Sequence, residues 1–179
     1  MALTATMRRF EVALADADHD RYDTLDLRVA QHPSESERFL IARVIARVLQ
    51  DGPGVEFTRG LSTDDEPAIW QRDLRGDLQA WIEIGQPSVD RLHKASKTGA
   101  RVVVYAWKAV DELAAAIAAR PVHRAAEVEV YALPPEFLDA VAATLDRNNS
   151  WSLSITGGAL FLAVADVACE AEVRRVAIG

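Results

Sequence analysis

The sequence has a single cysteine, Cys169, which excludes a framework of internal disulfide bonds. One unpaired thiol fits a reducing compartment. No apolar run reaches the ~18 residues that a membrane span requires, and the opening MALTATMRRF lacks the apolar segment of a secretory signal. We therefore expect a cytoplasmic protein that does not enter a membrane.

Several catalytic signatures are also missing. The four histidines lie far apart along the chain and form no HxxxH or HxH pair, which argues against a zinc site. The chain has no GxxxxGK[ST] phosphate loop, no GxGxxG fingerprint and no GxSxG nucleophile elbow. The sequence therefore lacks the usual motifs of nucleotide hydrolases, of dinucleotide-dependent oxidoreductases and of hydrolases with a serine nucleophile.

Positive charge is in short supply, since 27 acidic residues face 20 lysines and arginines and give a net charge of −7. A protein that coats nucleic acid through electrostatics alone usually has the opposite balance. A local basic patch or a bound divalent metal can still reverse the field over part of a surface. Nucleic acid therefore stays a candidate partner, while protein partners and the oligomeric state are left open.

The apolar patterns predict a single α/β domain over residues 1–179, with a mixed sheet. Antiparallel strands begin and end the chain, and a short parallel βαβα unit lies between them. In the helix predicted over about 35–49, Ser34 and Glu37 have the spacing of a capping box. The remaining predicted elements are strands near 9–14, 24–29, 101–107, 128–133, 151–155, 160–164 and 170–178, and helices near 88–97, 111–120 and 134–145.

The stretch from Phe57 to Lys97 has the densest mixture of charged residues and tryptophan, and the rest of the chain is organised around it. Residues 77–84 alternate as in a strand, with Trp81 and Glu83 on one face. Because a tryptophan is too large to leave fully wet, that face is expected to be covered. A carboxylate there needs a cation, a metal or hydrogen-bond donors beside it.

The residue types in this stretch suit a hard metal ion. Carboxylates from Asp64, Asp65 or Glu66 and from Glu83 can share Mg²⁺, which prefers oxygen ligands. With Lys94 near a phosphate, a metal-bound water makes a minimal phosphodiesterase. The alternative is equally open, because Asp-Asp-Glu-Pro is also the composition of an ordinary exposed turn.

Longer motifs carry a resemblance. The segments HPSESER (32–38), FTRGLSTDDEPAIWQRDL (57–74) and WIEIGQP…RLHKA (81–95) resemble the bacterial YaeQ family, and the likeness runs through most of the chain to about residue 135. The resemblance implies a fold similar to the PD-(D/E)XK, or restriction-endonuclease-like, core. It implies no assigned activity.

Carried over by position, the nuclease pattern assigns Glu83 as the second acid and Glu37, or alternatively Glu35, as the helix acid. The lysine expected two residues after Glu83 is replaced by Gly85, so Lys94 or, more weakly, Gln86 has to supply its function. If the strands turn about 75–76, the residue opposite Glu83 is Ala68 where the pattern places aspartate. Asp65 or Glu66 would have to replace that acid.

Two functional hypotheses follow from these departures. The first is a nuclease-like fold without catalysis that serves as a binding or regulatory module, in which the same charges form a buried ion-pair network. The second is a Mg²⁺-dependent phosphodiesterase that acts on nucleic acid, with Glu83 and either Asp65 or Glu66 on the metal, and with Glu37 and Lys94, or more weakly Gln86, assisting.

Overall fold

The computed structural model describes residues 4–59 and 65–179. By its internal contacts the chain divides into two compact units, Met1–Ile41 with Leu133–Val173, and Ala42–Ala132 with Arg174–Gly179. The described part contains eleven strands in two mixed sheets and four α-helices. The expected α/β class is confirmed, whereas the prediction of one mixed sheet is wrong because the strands form two.

The first unit is built on a five-stranded sheet in the order β10-β9-β8-β1-β2. Its elements are β1 (Thr6–Asp16), β2 (Arg21–Gln31), α4 (Pro135–Ala142), β8 (Asn148–Thr156), β9 (Ala159–Val164) and β10 (Val167–Glu172). The expected hairpins β1–β2 and β8–β9 are present and antiparallel. Strand β1 also pairs in parallel with β8, which local patterns did not predict because the two strands are far apart in the chain.

The second unit carries a six-stranded sheet in the order β11-β7-β6-β5-β4-β3. Its elements are β3 (Val55–Phe57), β4 (Ile69–Arg72), β5 (Leu78–Ile84), α2 (Val89–Ser96), β6 (Arg101–Ala106), α3 (Val110–Ala119), β7 (Glu129–Ala132) and β11 (Arg174–Val176). Strands β5, β6 and β7 are parallel. The predicted parallel βαβ core is therefore confirmed, and α2 and α3 supply apolar side chains to a core on one face of this sheet.

Helix α1 (Glu37–Leu49) begins two residues later than the pattern suggested. The hydroxyl of Ser36 accepts the N–H of Phe39 at 3.1 Å, while Ser34 is held by the ring of His32. The capping box at Ser34 is thus wrong, because the histidine captures that hydroxyl before the helix starts. Helix α2 does begin as expected, with the Ser88 hydroxyl accepting the N–H of Arg91.

The end of the chain departs most from the sequence pattern. The single strand predicted over 170–178 is two strands, β10 and β11, which belong to different sheets. The break falls at Val173, whose N–H donates to the carbonyl of Gly158. Alternation alone does not reveal such a change of partner, since both segments look equally extended.

None of the helices within residues 4–59 and 65–179 is long and apolar enough to cross a membrane.

Candidate functional site

Glu83 lies near the carboxyl end of β5, on the same face as Trp81. Across the parallel ladder Trp81 is opposite Val102 and Glu83 is opposite Val104, and both valines belong to the apolar core shared with α2 and α3. Trp81 packs against that core, and Glu83 is only 6% exposed. The prediction that this polar-looking face is covered is therefore confirmed.

The Glu83 carboxylate is held by two neighbours. Arg91 Nε donates to Glu83 Oε1 at 2.5 Å, and Trp81 Nε1 donates to the same oxygen at 2.7 Å. The Arg91 guanidinium also lies 5.8 Å from the centre of the Trp81 ring, within the range of a cation–π contact. We call these three side chains the Glu83 network. A buried acid has thus acquired the cation and the donors that its position demands.

Burial raises the pKa of the Glu83 carboxyl above its ordinary value, although the Trp81 hydrogen bond and the charge of Arg91 act in the opposite direction. The raised pKa reflects the cost of removing a charge from water in a mostly apolar surrounding. The carboxylate is consequently a group whose ionisation depends on its arginine partner.

A second contact connects this network to the acidic stretch. Arg91 Nη2 donates to the main-chain carbonyl of Glu66, so one guanidinium joins Glu66 to Glu83. On β4, Ile69 is opposite Ile82 and Trp70 is opposite Trp81. Continuing that register by one residue places the buried Ala68 beside Glu83, as the sequence predicted.

The other predicted residues occupy different surroundings. Lys94 is exposed, and no described residue pairs with its ammonium group. Gln86 is exposed and donates through Nε2 to the carbonyl of Lys108 at 2.9 Å. Asp65 is exposed and Glu66 is half-buried, with its carboxylate 3.4 Å from the N–H of Arg59. Asp64 lies outside the described residues.

The two helix acids also differ from each other. Glu37 is exposed in the first turn of α1, where negative charge suits the helix dipole. Glu35 is 6% exposed, and its Oε1 accepts the N–H of His32 at 3.3 Å. Both belong to the first compact unit, whereas Glu83 belongs to the second.

Arg91 is the participant that the sequence argument did not select. The nuclease pattern asks for a lysine and therefore points to Lys94 instead. The available signal was position, since Arg91 lies in the first turn of a helix that Ser88 caps just after β5. Helical side chains lean toward the helix N-terminus, which here faces the end of the strand.

Among residues 4–59 and 65–179, no three histidine, cysteine, aspartate or glutamate side chains lie close enough together to hold a metal ion. The described side chains therefore do not supply the oxygen-rich ligand set that Mg²⁺ prefers. What they do supply is a buried carboxylate that is paired with an arginine.

Comparison with known proteins gives a consistent result. The model of the family described as YaeQ protein matches residues 1–173. The chain is 32% identical over 166 residues to the uncharacterized protein YaeQ of Escherichia coli K12, covering 90% of each chain. Among solved structures, it is similar to the YaeQ protein of Xanthomonas axonopodis pv. citri, with a TM-score of 0.88, 32% identity and coverage of 98% and 100%. It is also similar to that of Pseudomonas syringae, with a TM-score of 0.87, 28% identity and 96% coverage of both chains.

Proposed function

Because this chain belongs to the YaeQ family, we propose that it is a non-catalytic binding or regulatory module on a nuclease-like framework. The nuclease resemblance supplies the comparison, and the chain departs from that pattern at Ala68 and Gly85. An aspartate and a lysine would be required there for metal binding and for activation of the attacking water. Neither side chain that replaces them has a polar group.

The observation that carries this proposal is that one oxygen of the Glu83 carboxylate is already paired with Arg91. An acid that serves a metal ion presents its oxygens to the ion, but Glu83 Oε1 already accepts from Arg91 and from Trp81. A cation placed beside the guanidinium of Arg91 would meet like-charge repulsion at short range. The network therefore fits a role in holding the β4–β5 hairpin against α2.

We propose nucleic acid as the ligand class that this module binds. The resemblance to nucleases supports the choice, and so do two exposed lysines, Lys94 on α2 and Lys97 at the C-terminal cap of that helix. Two lysines on a chain of net charge −7 predict weak binding with a shallow salt dependence, because about two phosphate contacts give a slope of about −2 for log K against log salt concentration.

The test is fluorescence anisotropy with labelled single- and double-stranded DNA and RNA of random sequence, from low to physiological salt. We expect binding without cleavage in the presence of Mg²⁺, and weaker binding after Lys94→Ala combined with Lys97→Ala. Arg175→Ala is the matched control, because this arginine is exposed on β11 at an edge of the same sheet. Equal loss from the control, or no binding at low salt, would contradict the proposed ligand.

A second candidate function is the Mg²⁺-dependent phosphodiesterase. The observation that favours it is the Arg91 guanidinium, which keeps the backbone of Glu66 next to Glu83 and so brings part of the acidic stretch to this end of β5. The described carboxylates do not form a ligand set by themselves, so we derive no reaction step through the metal.

Titration calorimetry with Mg²⁺ and Mn²⁺ separates the two functions. The module hypothesis predicts no site of millimolar or tighter affinity. Metal binding that disappears in Glu83→Gln, together with cleavage of DNA or RNA that disappears in Glu83→Ala, would establish the enzyme instead. Cleavage that survives combined Glu83→Ala and Lys94→Ala would remove these residues from any catalytic assignment.

A further inference from the structure

Strand β2 (Arg21–Gln31) is a long edge strand. It closes one side of the five-stranded sheet and pairs with β1 through eleven consecutive residues without a bulge. Within the described part of the chain, no strand pairs with its other side. Its outer edge therefore presents a row of backbone donors and acceptors, above all between Tyr22 and Val29.

Proteins usually protect such edges with short strands, lysine, proline or bulges, because an open edge pairs readily with another chain. Strand β2 is neither short nor bulged and contains no lysine or proline, and its exposed charges, Asp23, Asp26 and Arg28, are of both signs. Its side chains alternate cleanly between a buried face, with Leu25, Leu27 and Val29, and an exposed face. This alternation fixes the register that any added strand must respect.

From this edge we infer that two copies of the chain pair through β2, antiparallel and centred on Leu27. A two-fold axis perpendicular to the sheet keeps each side chain on its own face. Opposite residues in the two copies must therefore point to the same face, which holds only when the axis passes beside a residue and not between two residues. The register centred on Leu27 places Asp26 of each copy opposite Arg28 of the other. The register centred on Asp26 would oppose two aspartates, and the one centred on Arg28 two arginines.

The charges favour the chosen register. The Arg28 side chain is exposed, and its guanidinium donates no hydrogen bond to any residue that the structure describes. The Asp26 carboxylate already accepts two hydrogen bonds from Arg9 of the neighbouring strand, from Nε at 2.9 Å and from Nη2 at 3.0 Å. A second arginine from the other copy can approach the remaining lone pairs of that carboxylate, since an ionised acid accepts about four hydrogen bonds. The dimer thus gains two symmetrical ion pairs.

The buried face fits equally well. In this register Leu25 meets Val29 of the other copy and the two Leu27 side chains meet each other. Cross-strand pairs of branched apolar residues stabilise antiparallel sheets. The result is a continuous ten-stranded sheet across the two-fold axis. This inference concerns assembly and does not depend on the proposed function of the module.

The experiment is sedimentation velocity and light scattering of the full chain over roughly 1 to 200 µM, because a single strand edge forms an interface at the small end of the size range. We expect a species of twice the 19.6 kDa chain mass at high concentration. Arg28→Glu should raise the dissociation constant at least tenfold. This variant should still fold, since residue 28 faces Arg9 across the β1–β2 ladder and an acid there is favourable.

An exchange of charges gives the sharper test. Asp26→Arg combined with Arg28→Asp interchanges the two signs and should restore the dimer, while Arg9 again has an acid across the ladder. Arg147→Glu is the matched control, because it makes the same charge change at an exposed site in the loop before β8 of the same unit and should leave the dimer unchanged. A chain that stays monomeric at every concentration would overturn the inference, and so would a dimer that Arg28→Glu does not weaken.

Cysteine cross-linking tests the register itself. In a Cys169→Ser background, Thr24→Cys combined with Ala30→Cys should form intermolecular disulfides between positions 24 and 30. Neither single variant should form them, because each introduced cysteine would lie several residues away from the same cysteine in the other copy. Cross-links in a single variant, or none in the double variant at concentrations where the dimer forms, would refute the register centred on Leu27.

Discussion

Removing the Arg91 side chain is the most direct perturbation of the Glu83 network. Arg91→Ala leaves Glu83 buried, with Trp81 as its remaining donor. The Glu83 side chain is 7% exposed and that of Arg91 is 25% exposed. The pair is therefore largely shielded from water, and the loss of one member leaves an uncompensated charge.

The expected loss of stability at neutral pH is about 3 kcal/mol, at the lower end of the values for breaking a buried ion pair, because Arg91 retains some contact with water. The lost hydrogen bond to the Glu66 carbonyl is part of this figure and is not added to it. With a urea m-value of about 2 kcal/mol/M for a domain of this size, the unfolding midpoint should fall by about 1.5 M.

The pH dependence has a definite sign. The pKa of Glu83 is raised by burial in the folded protein, so this group stabilises the fold most at acid pH and loses that contribution as the pH rises through its folded pKa. Without Arg91 the pKa rises further. The difference in unfolding free energy between wild type and Arg91→Ala should consequently be smaller at acid pH than at alkaline pH.

The assay is urea unfolding followed by tryptophan fluorescence and circular dichroism between pH 5 and pH 8. Arg120→Ala is the matched control, because Arg120 forms an exposed pair with Asp90 at 3.7 Å and should change stability little. A loss below about 1 kcal/mol for Arg91→Ala, or a loss that does not vary with pH, would refute the idea that the Glu83 network is a stabilising buried pair.

Two further predictions concern the turns. Asp16 is fully buried, and although burial alone would raise its pKa, hydrogen bonds from Arg21 and a neighbouring histidine lower it. The ionised Asp16 carboxylate therefore stabilises the fold above its unfolded pKa, and this contribution is lost as the pH falls through the folded pKa. Asp16→Asn should cost about 3 kcal/mol of unfolding free energy at pH 7 and much less near pH 2. Urea unfolding at the two pH values measures this difference. Gly54→Ala should lower the melting temperature far more than Gly99→Ala, because both glycines have positive φ but only at Gly54 would a Cβ lie 1.9 Å from the Arg72 carbonyl oxygen.

The Asp16 variant and the two glycine variants can each contradict the reasoning. If Asp16→Asn costs as much near pH 2 as at pH 7, the carboxylate is not the source of the stabilisation. If the two glycine variants melt together, the close approach of the Arg72 carbonyl is not a constraint in solution.

Much of the candidate site could be predicted locally. The alternation over 77–84 predicted β5 and the shared face of Trp81 and Glu83, because a strand repeats every two residues. The Ser88 cap predicted α2, and the pairing of Ala68 with Glu83 followed from the position of the turn. These features depend on neighbours within about twenty residues.

The identity of the cation could not be predicted in the same way. Arg91 and Lys94 are three residues apart and lie on similar faces of α2, so periodicity does not distinguish them. One turn of helix separates them by about 4.5 Å along the axis, and only the first turn reaches the end of β5. The flat guanidinium can also serve Glu83 and Glu66 at once, which an ammonium group does less well.

Local patterns along the chain predict the positions of most strands and helices, the covering of the Trp81 face, and the absence of the acid and the lysine at Ala68 and Gly85. Three further features depend on how the chain packs: β1 pairs in parallel with β8, β10 and β11 belong to different sheets, and Arg91 pairs with Glu83. The physical reason is range: local periodicity follows from backbone geometry, whereas the choice of a distant partner depends on which packing buries the most apolar surface and leaves the fewest charges unpaired.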